Sequence, residues 1–240
     1  MLRRLFVAGA VVGFAVGLFP MHQASAANNP CTETLRNPES RYRSTWDYYH
    51  NTGSFITNVP GVGSAMNDGG ISWNIVRRGN CTLVEPNWRT AFVNRGASTR
   101  TPDVADGSNV HGWVNFSSPP SNEDTTCRNL KLTNQSWAAM VCAFKNTSGI
   151  YEYGMSFNSR TPSQWTSDLN STTHFIIQAV ATHEFGHAIG LGHVPASNPP
   201  TFADGGALLT MYTTYFLGQT HNGWYTLGRG DMFGYREVQP

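Results

Sequence analysis

The chain has 240 residues, only 13% of them charged, and a formal net charge of +1. With no basic block or stripe and no acidic tail, it lacks the electrostatic footprint of a nucleic-acid binder or of a polyanion mimic. Beyond the first residues, no apolar stretch approaches the roughly 18 residues needed to cross a bilayer.

Residues 1–26 read as a secretory signal peptide. Met1-Leu-Arg-Arg is positively charged, Leu5 to Leu18 is apolar, and Ala24-Ser25-Ala26 has the small-x-small form of a cleavage site. An N-terminal membrane anchor is the alternative, but the apolar run is short and Pro20 stands near its end. Cleavage after Ala26 leaves a secreted, extracellular chain starting at Ala27, with no membrane attachment. What remains suits one domain, with a polar, proline-containing lead-in over 27–44 and the domain proper over 45–240.

Cys31, Cys81, Cys127 and Cys142 all lie in that mature part. An even count behind an export signal reads as two disulfides, and three pairings are open. The favoured one joins Cys127 to Cys142 as a local loop and Cys31 to Cys81 as a tie on the N-terminal segment. No C-x-x-C pair supports thiolate metal binding.

Along the domain, TWDYYH (45–50) has the aromatic, β-favouring character of a first strand. Residues 59–76 have the apolar positions of a helix, interrupted by Gly69-Gly70. The segments 88–96, 109–116, 136–144 and 149–159 read as further strands, with polar connectors at 98–108 and 117–126. The clearest helix is 171–190, with Asn170, Ser171 or Thr172 as its cap, a broad apolar stripe from Phe175 to Ile189, and Gly190 as its terminator. A loop rich in Pro, Gly and Asn follows, then ALLTMYTTYF, then a short C-terminal helix within TLGRGDMFGYREVQ. Strands followed by a central helix and an irregular tail make an α+β pattern.

Three of the 8 histidines fall within eleven positions, in ATHEFGHAIGLGH (181–193). On a helix, His183 and His187 stand four apart on one face, placed to share one ion. Glu184 sits beside that ion, able to take a proton from metal-bound water. His193 returns to the same ion only if the chain turns first, and Gly190 provides the turn. Three protein ligands leave a fourth position for water, the mark of a catalytic zinc.

HEFGHAIGLGH resembles the zinc-binding consensus of the metzincin metallopeptidases, especially the matrixin branch. The resemblance implies a single catalytic domain with a twisted, mainly parallel sheet, an active-site helix, an irregular C-terminal subdomain and a C-terminal helix. It implies a zinc endopeptidase acting on protein or peptide substrates, as a monomer. It gives Met211 the place of the methionine turn beneath the zinc, and Tyr212 and Tyr215 the wall of the specificity pocket. Departures are Val194 where matrixins usually have serine, Thr213 where they have proline, and no cysteine-switch proregion. These fit a minimal exported member of bacterial type better than an animal matrix metalloproteinase.

Other readings carry less. A second zinc at His111 and His174 would need the family's His-x-Asp pattern, and Gly112-Trp113 follow His111. Calcium at the loop residues Asp103, Asp106 and Asp124 is allowed by the resemblance and unsupported by spacing. A non-catalytic secreted binding protein of the same fold would have no use for Glu184. A zinc hydrolase of a non-protein substrate would use the same machinery.

Overall fold

The computed structural model describes residues 5–9, 45–74, 91–146, 149–193, 210, 211, 227 and 231. The strand Ala139–Asn146 sets its architecture. Ala139, Val141 and Ala143 enter one apolar cluster, while Met140, Cys142 and Phe144 enter a second. The two-residue period of extended backbone makes that division. A strand apolar on both sides has to be covered on both.

The elements are β1 (Leu5–Gly9), β2 (Thr45–His50), α1 (Val62–Asn74), β3 (Ala91–Ala97), β4 (Asn109–Val114) and α2 (Thr125–Thr133). They continue with β5 (Ala139–Asn146), β6 (Gly149–Asn158), β7 (Trp165–Thr166), β8 (Phe175–Ile176) and α3 (Ile177–Ala188). The main sheet has the order β1-β5-β6-β4-β2-β3. Strands β3, β2, β4 and β6 run parallel, and β5 lies antiparallel to β6. This is the expected α+β fold with a mostly parallel sheet. β1, inside the segment read as an export leader, runs antiparallel along the outer edge of β5, with Gly9 opposite Met140.

The larger cluster lies between the sheet and helices α1 and α3; the smaller is closed by Cys127 and Leu130 of α2. α1 runs straight through Gly69-Gly70, where an interruption was expected. The pair is there for contact. A Cβ on Gly69 would lie 2.6 Å from the Ala181 Cβ, and one on Gly70 2.9 Å from the Phe185 ring. The glycines therefore let α1 approach α3, and Trp73 Nε1 reinforces the crossing by donating to the Thr182 carbonyl at 2.7 Å.

Two expectations need correction. α3 begins at Ile177, because Phe175 and Ile176 pair in parallel with Trp165 and Thr166. Asn170, Ser171 and Thr172 therefore cap nothing, and the cap position is Ile176 without a side-chain bond. The connector at 117–126 leads into α2, a helix the pattern did not suggest, where Asp124 Oδ1 accepts from the N–H groups of Thr126 and Cys127. A disulfide joins Cys127 of α2 to Cys142 of β5. Cys31, Cys81, the whole lead-in and most of the expected C-terminal helix lie outside the described residues. No helix among the described residues is long and apolar enough to cross a membrane.

Candidate metal centre

α3 is held from behind by Phe185, whose ring meets Phe92 at 4.4 Å and His111 at 5.1 Å between centroids. That anchorage turns His183 and His187 to a common side. The helix ends at Ala188, and Gly190 follows with a φ of 99°, open to glycine and strained for other residues. Leu191 N–H then donates back to the Gly186 carbonyl at 2.9 Å, closing the turn. His193 follows, and the three Nε2 atoms converge. They lie 3.0 Å apart between His183 and His187, 3.0 Å between His187 and His193, and 3.1 Å between His183 and His193.

The hydrogen bonds behind those rings decide what the convergence means. His183 Nδ1 is 2.6 Å from the Thr210 carbonyl oxygen, and His187 Nδ1 is 2.7 Å from that of Leu191. A carbonyl only accepts, so both Nδ1 atoms carry the proton. Both Nε2 atoms are then lone-pair acceptors, and two acceptors at 3.0 Å cannot bond to each other. They need an electrophile between them. A tetrahedral ion with bonds of about 2.0–2.1 Å to nitrogen fits this donor set.

A proton is a poor substitute for that ion. Burial, reinforced by its histidine neighbours, holds His183 down to about 3 and His187 well below its ordinary value, and burial holds His193 at about 4. All three rings are thus neutral at physiological pH, the form in which imidazole can bind a metal. Among the described residues this is the only group of three or more His, Cys, Asp or Glu side chains placed to hold a metal.

Glu184 lies on the same helix, next to His183, and is fully buried. Met211, also fully buried, packs on a surface of α3 left bare by Gly186: a Cβ there would lie 2.2 Å from the Met211 sulfur. The buried Asp231 carboxylate accepts from the backbone N–H groups of Thr210 and Met211 at 2.8 and 3.2 Å. The Thr210 carbonyl also receives the His183 bond, so Asp231 supports the His183 ring at one remove. The sequence pattern singled out neither Gly186 nor Asp231. Tyr212 and Tyr215 lie outside the described residues.

The remaining candidates go elsewhere. His111 is buried in the core, 3.0 Å from the Tyr153 hydroxyl and stacked on Tyr48, with His50 at 5.5 Å between centroids. His174 precedes β8, outside the helix once expected to hold it, with Nδ1 at 2.8 Å from Thr173 Oγ1. Asp106 pairs with Arg100 at 3.1 Å, Asp124 caps α2, and Asp103 is buried against Lys131. The three aspartates thus have separate structural roles. Lys131, fully buried between Asp103 and Glu123, was not recognised from sequence because its neighbours carry no helical pattern.

Residues 140–203 match the family model for matrixin, of the peptidase M10 type. The match runs from the second residue of β5 through β6, α3 and all three histidines, and it supports a function of the zinc metallopeptidase kind. No curated protein matches the chain.

Proposed function

We propose that this protein is a secreted zinc-dependent endopeptidase that hydrolyses peptide bonds with His183, His187 and His193 as ligands and Glu184 as general base. The observation that carries this reading is the pair of deprotonated Nε2 atoms facing each other at 3.0 Å, each fixed by a carbonyl behind its ring. Zinc at this site would supply Lewis-acid polarisation of the scissile carbonyl and acidify a water. Glu184, excluded from solvent, takes the proton of the attacking water and delivers it to the leaving amine. Met211 and Asp231 keep the ligand triangle at a fixed height and orientation, which lowers the reorganisation needed during the reaction.

Export is supported by the leader over residues 1–26 and by the Cys127–Cys142 disulfide, which persists in oxidising compartments. Removing that leader also removes β1 and opens the outer edge of β5 to an extended peptide.

The test is paired. Residues 27–240 and their Glu184→Ala variant are purified, zinc is quantified, and cleavage of a mixed quenched-peptide library is followed. Both proteins are expected to hold about one zinc, with the variant slower by roughly 10²–10⁴-fold. Zinc binding without cleavage by the unsubstituted chain would refute the endopeptidase reading.

A further inference from the structure

A cavity of about 250 Å³ opens between the start of β5 and the approach to α3. Trp137, Trp165 and Phe175 form its aromatic walls, with Gln135, Gln164 and Arg160 among its lining. This is below the roughly 300 Å³ at which small-molecule sites begin, and suits one side chain of a larger ligand. Trp165 Nε1 is already engaged, donating to the Asn158 carbonyl at 3.0 Å, which leaves its ring to act as an apolar surface.

Arg160 gives the cavity its sign. Its Nη1 donates to Gln135 Oε1 at 2.8 Å, which orients the guanidinium, and among the described residues it makes no ion pair. An oriented guanidinium with donors to spare beside aromatic rings selects a carboxylate on a short aliphatic stem.

The place of the cavity on the edge of the sheet indicates what would carry that carboxylate. β5 already accepts an antiparallel strand on its outer edge, Leu5–Gly9, with Gly9 opposite Met140. In an antiparallel ladder each step forward on the added strand is a step back on β5. A peptide in this sense therefore passes from Met140 to Ala138 and Trp137 and arrives at the cavity. Phe175 lines that cavity, and His183 lies farther along the same segment, past the start of α3 at Ile177. At 3.3 Å per extended and 1.5 Å per helical residue the path between them is at most about 16 Å, or no more than about five residues of extended peptide.

We propose that this cavity is a specificity subsite for a substrate's aspartate or glutamate side chain, within about five residues of the scissile bond. The proposal rests on the endopeptidase reading above. Arg160 binds the carboxylate and the three aromatic rings pack on the stem.

The test uses matched peptides with Glu, Gln or Lys at each of those positions, cut by residues 27–240 and by Arg160→Gln, Arg160→Glu and Arg160→Lys. At one position the Glu/Gln ratio of kcat/KM is expected to be about 5, the upper range for a partly exposed ion pair. The ratio should fall towards 1 in Arg160→Gln, recover partly in Arg160→Lys, and favour Lys in Arg160→Glu. A purely structural role for Arg160 would slow all peptides alike and leave the ratio unmoved, overturning the proposal, as would a flat ratio in the unsubstituted chain. If no peptide is cut, anisotropy of the labelled Glu and Gln peptides separates the two readings. Tighter, Arg160-dependent binding of the Glu peptide upholds the subsite while the endopeptidase reading fails; equal binding sinks both.

Discussion

The Asp231 carboxylate holds the backbone of Met211, accepting its N–H at 3.2 Å and that of Thr210 at 2.8 Å. Through the Thr210 carbonyl this support reaches the His183 ring. Asp231→Ala leaves two buried N–H groups without that acceptor, at about 1–3 kcal/mol each, and frees the floor of the site. Zinc affinity, measured by competition with a chromogenic chelator, should fall about 10–100-fold, as for other groups that orient a ligand from behind. An unchanged affinity would show that the turn at Met211 holds itself.

Gly186 makes a second demand on the same floor. A Cβ there would stand 2.2 Å from Met211 Sδ and 2.9 Å from the Trp73 ring. Gly186→Ala should therefore destabilise the fold by about 1–3 kcal/mol, although alanine is the better helix former. Trp73 is tied to the Thr182 carbonyl, so Met211 has to move, and zinc affinity should drop as well. Thermal unfolding of the metal-free protein and a zinc titration check the two effects separately.

These two residues show where the sequence was readable and where it was not. His183, His187 and His193 were legible because ligand geometry imposes a fixed spacing within one helix and its turn. The strands from β2 to β6 were legible because short runs rich in aromatic and β-branched residues stand between polar connectors. Asp231 and Gly186 act on Met211 across the fold, 20 and 25 positions away in the chain. No local period records such partners. The start of α3 was misplaced because Phe175 and Ile176 satisfy a helical stripe equally well while pairing with Trp165 and Thr166. α2 was missed because it is short, polar, and held by an aspartate cap and a disulfide instead of an apolar stripe.

A pH dependence follows from the buried cluster of Asp103, Glu123 and Lys131. Two carboxylates face one ammonium, with Arg128 adding a weaker positive influence. Burial first, and Asp103 second, push Glu123 up from 4.5 to about 7. The folded state therefore binds a proton more tightly than the unfolded chain, and this group's contribution to stability declines as pH rises from about 4.5 through 7. His50 and His111, lowered by burial, act in the opposite sense and cost stability as pH falls below 6.5. The difference between the wild type and Glu123→Gln isolates the carboxyl. The variant should gain about 1–3 kcal/mol on the wild type between pH 5 and 8, read by urea unfolding. Lys131→Met, which leaves both acids buried without their cation, should lose about 3–5 kcal/mol at neutral pH. Parallel pH profiles for wild type and Glu123→Gln would show that Glu123 does not titrate in this range.

The disulfide separates fold stability from metal binding. Cys142 points into the smaller cluster with Cys127 and Phe116, on the side of β5 opposite the residues that face α3. The bridge closes a separation of 15 residues, for which the loss of chain entropy in the unfolded state gives about 3 kcal/mol. Reduction, or the double substitution Cys127→Ala and Cys142→Ala, should lower the unfolding free energy by about that amount. The histidine triangle, fixed from the other side of the sheet by Phe185, Met211 and the Thr210 carbonyl, should still take up one equivalent of zinc below the unfolding transition. Urea midpoints with and without reductant give the first quantity, and zinc stoichiometry of the reduced protein in mild conditions gives the second. Loss of zinc before any loss of secondary structure would mean that α2 and its bridge hold β5, and through it α3, in place for the ligands.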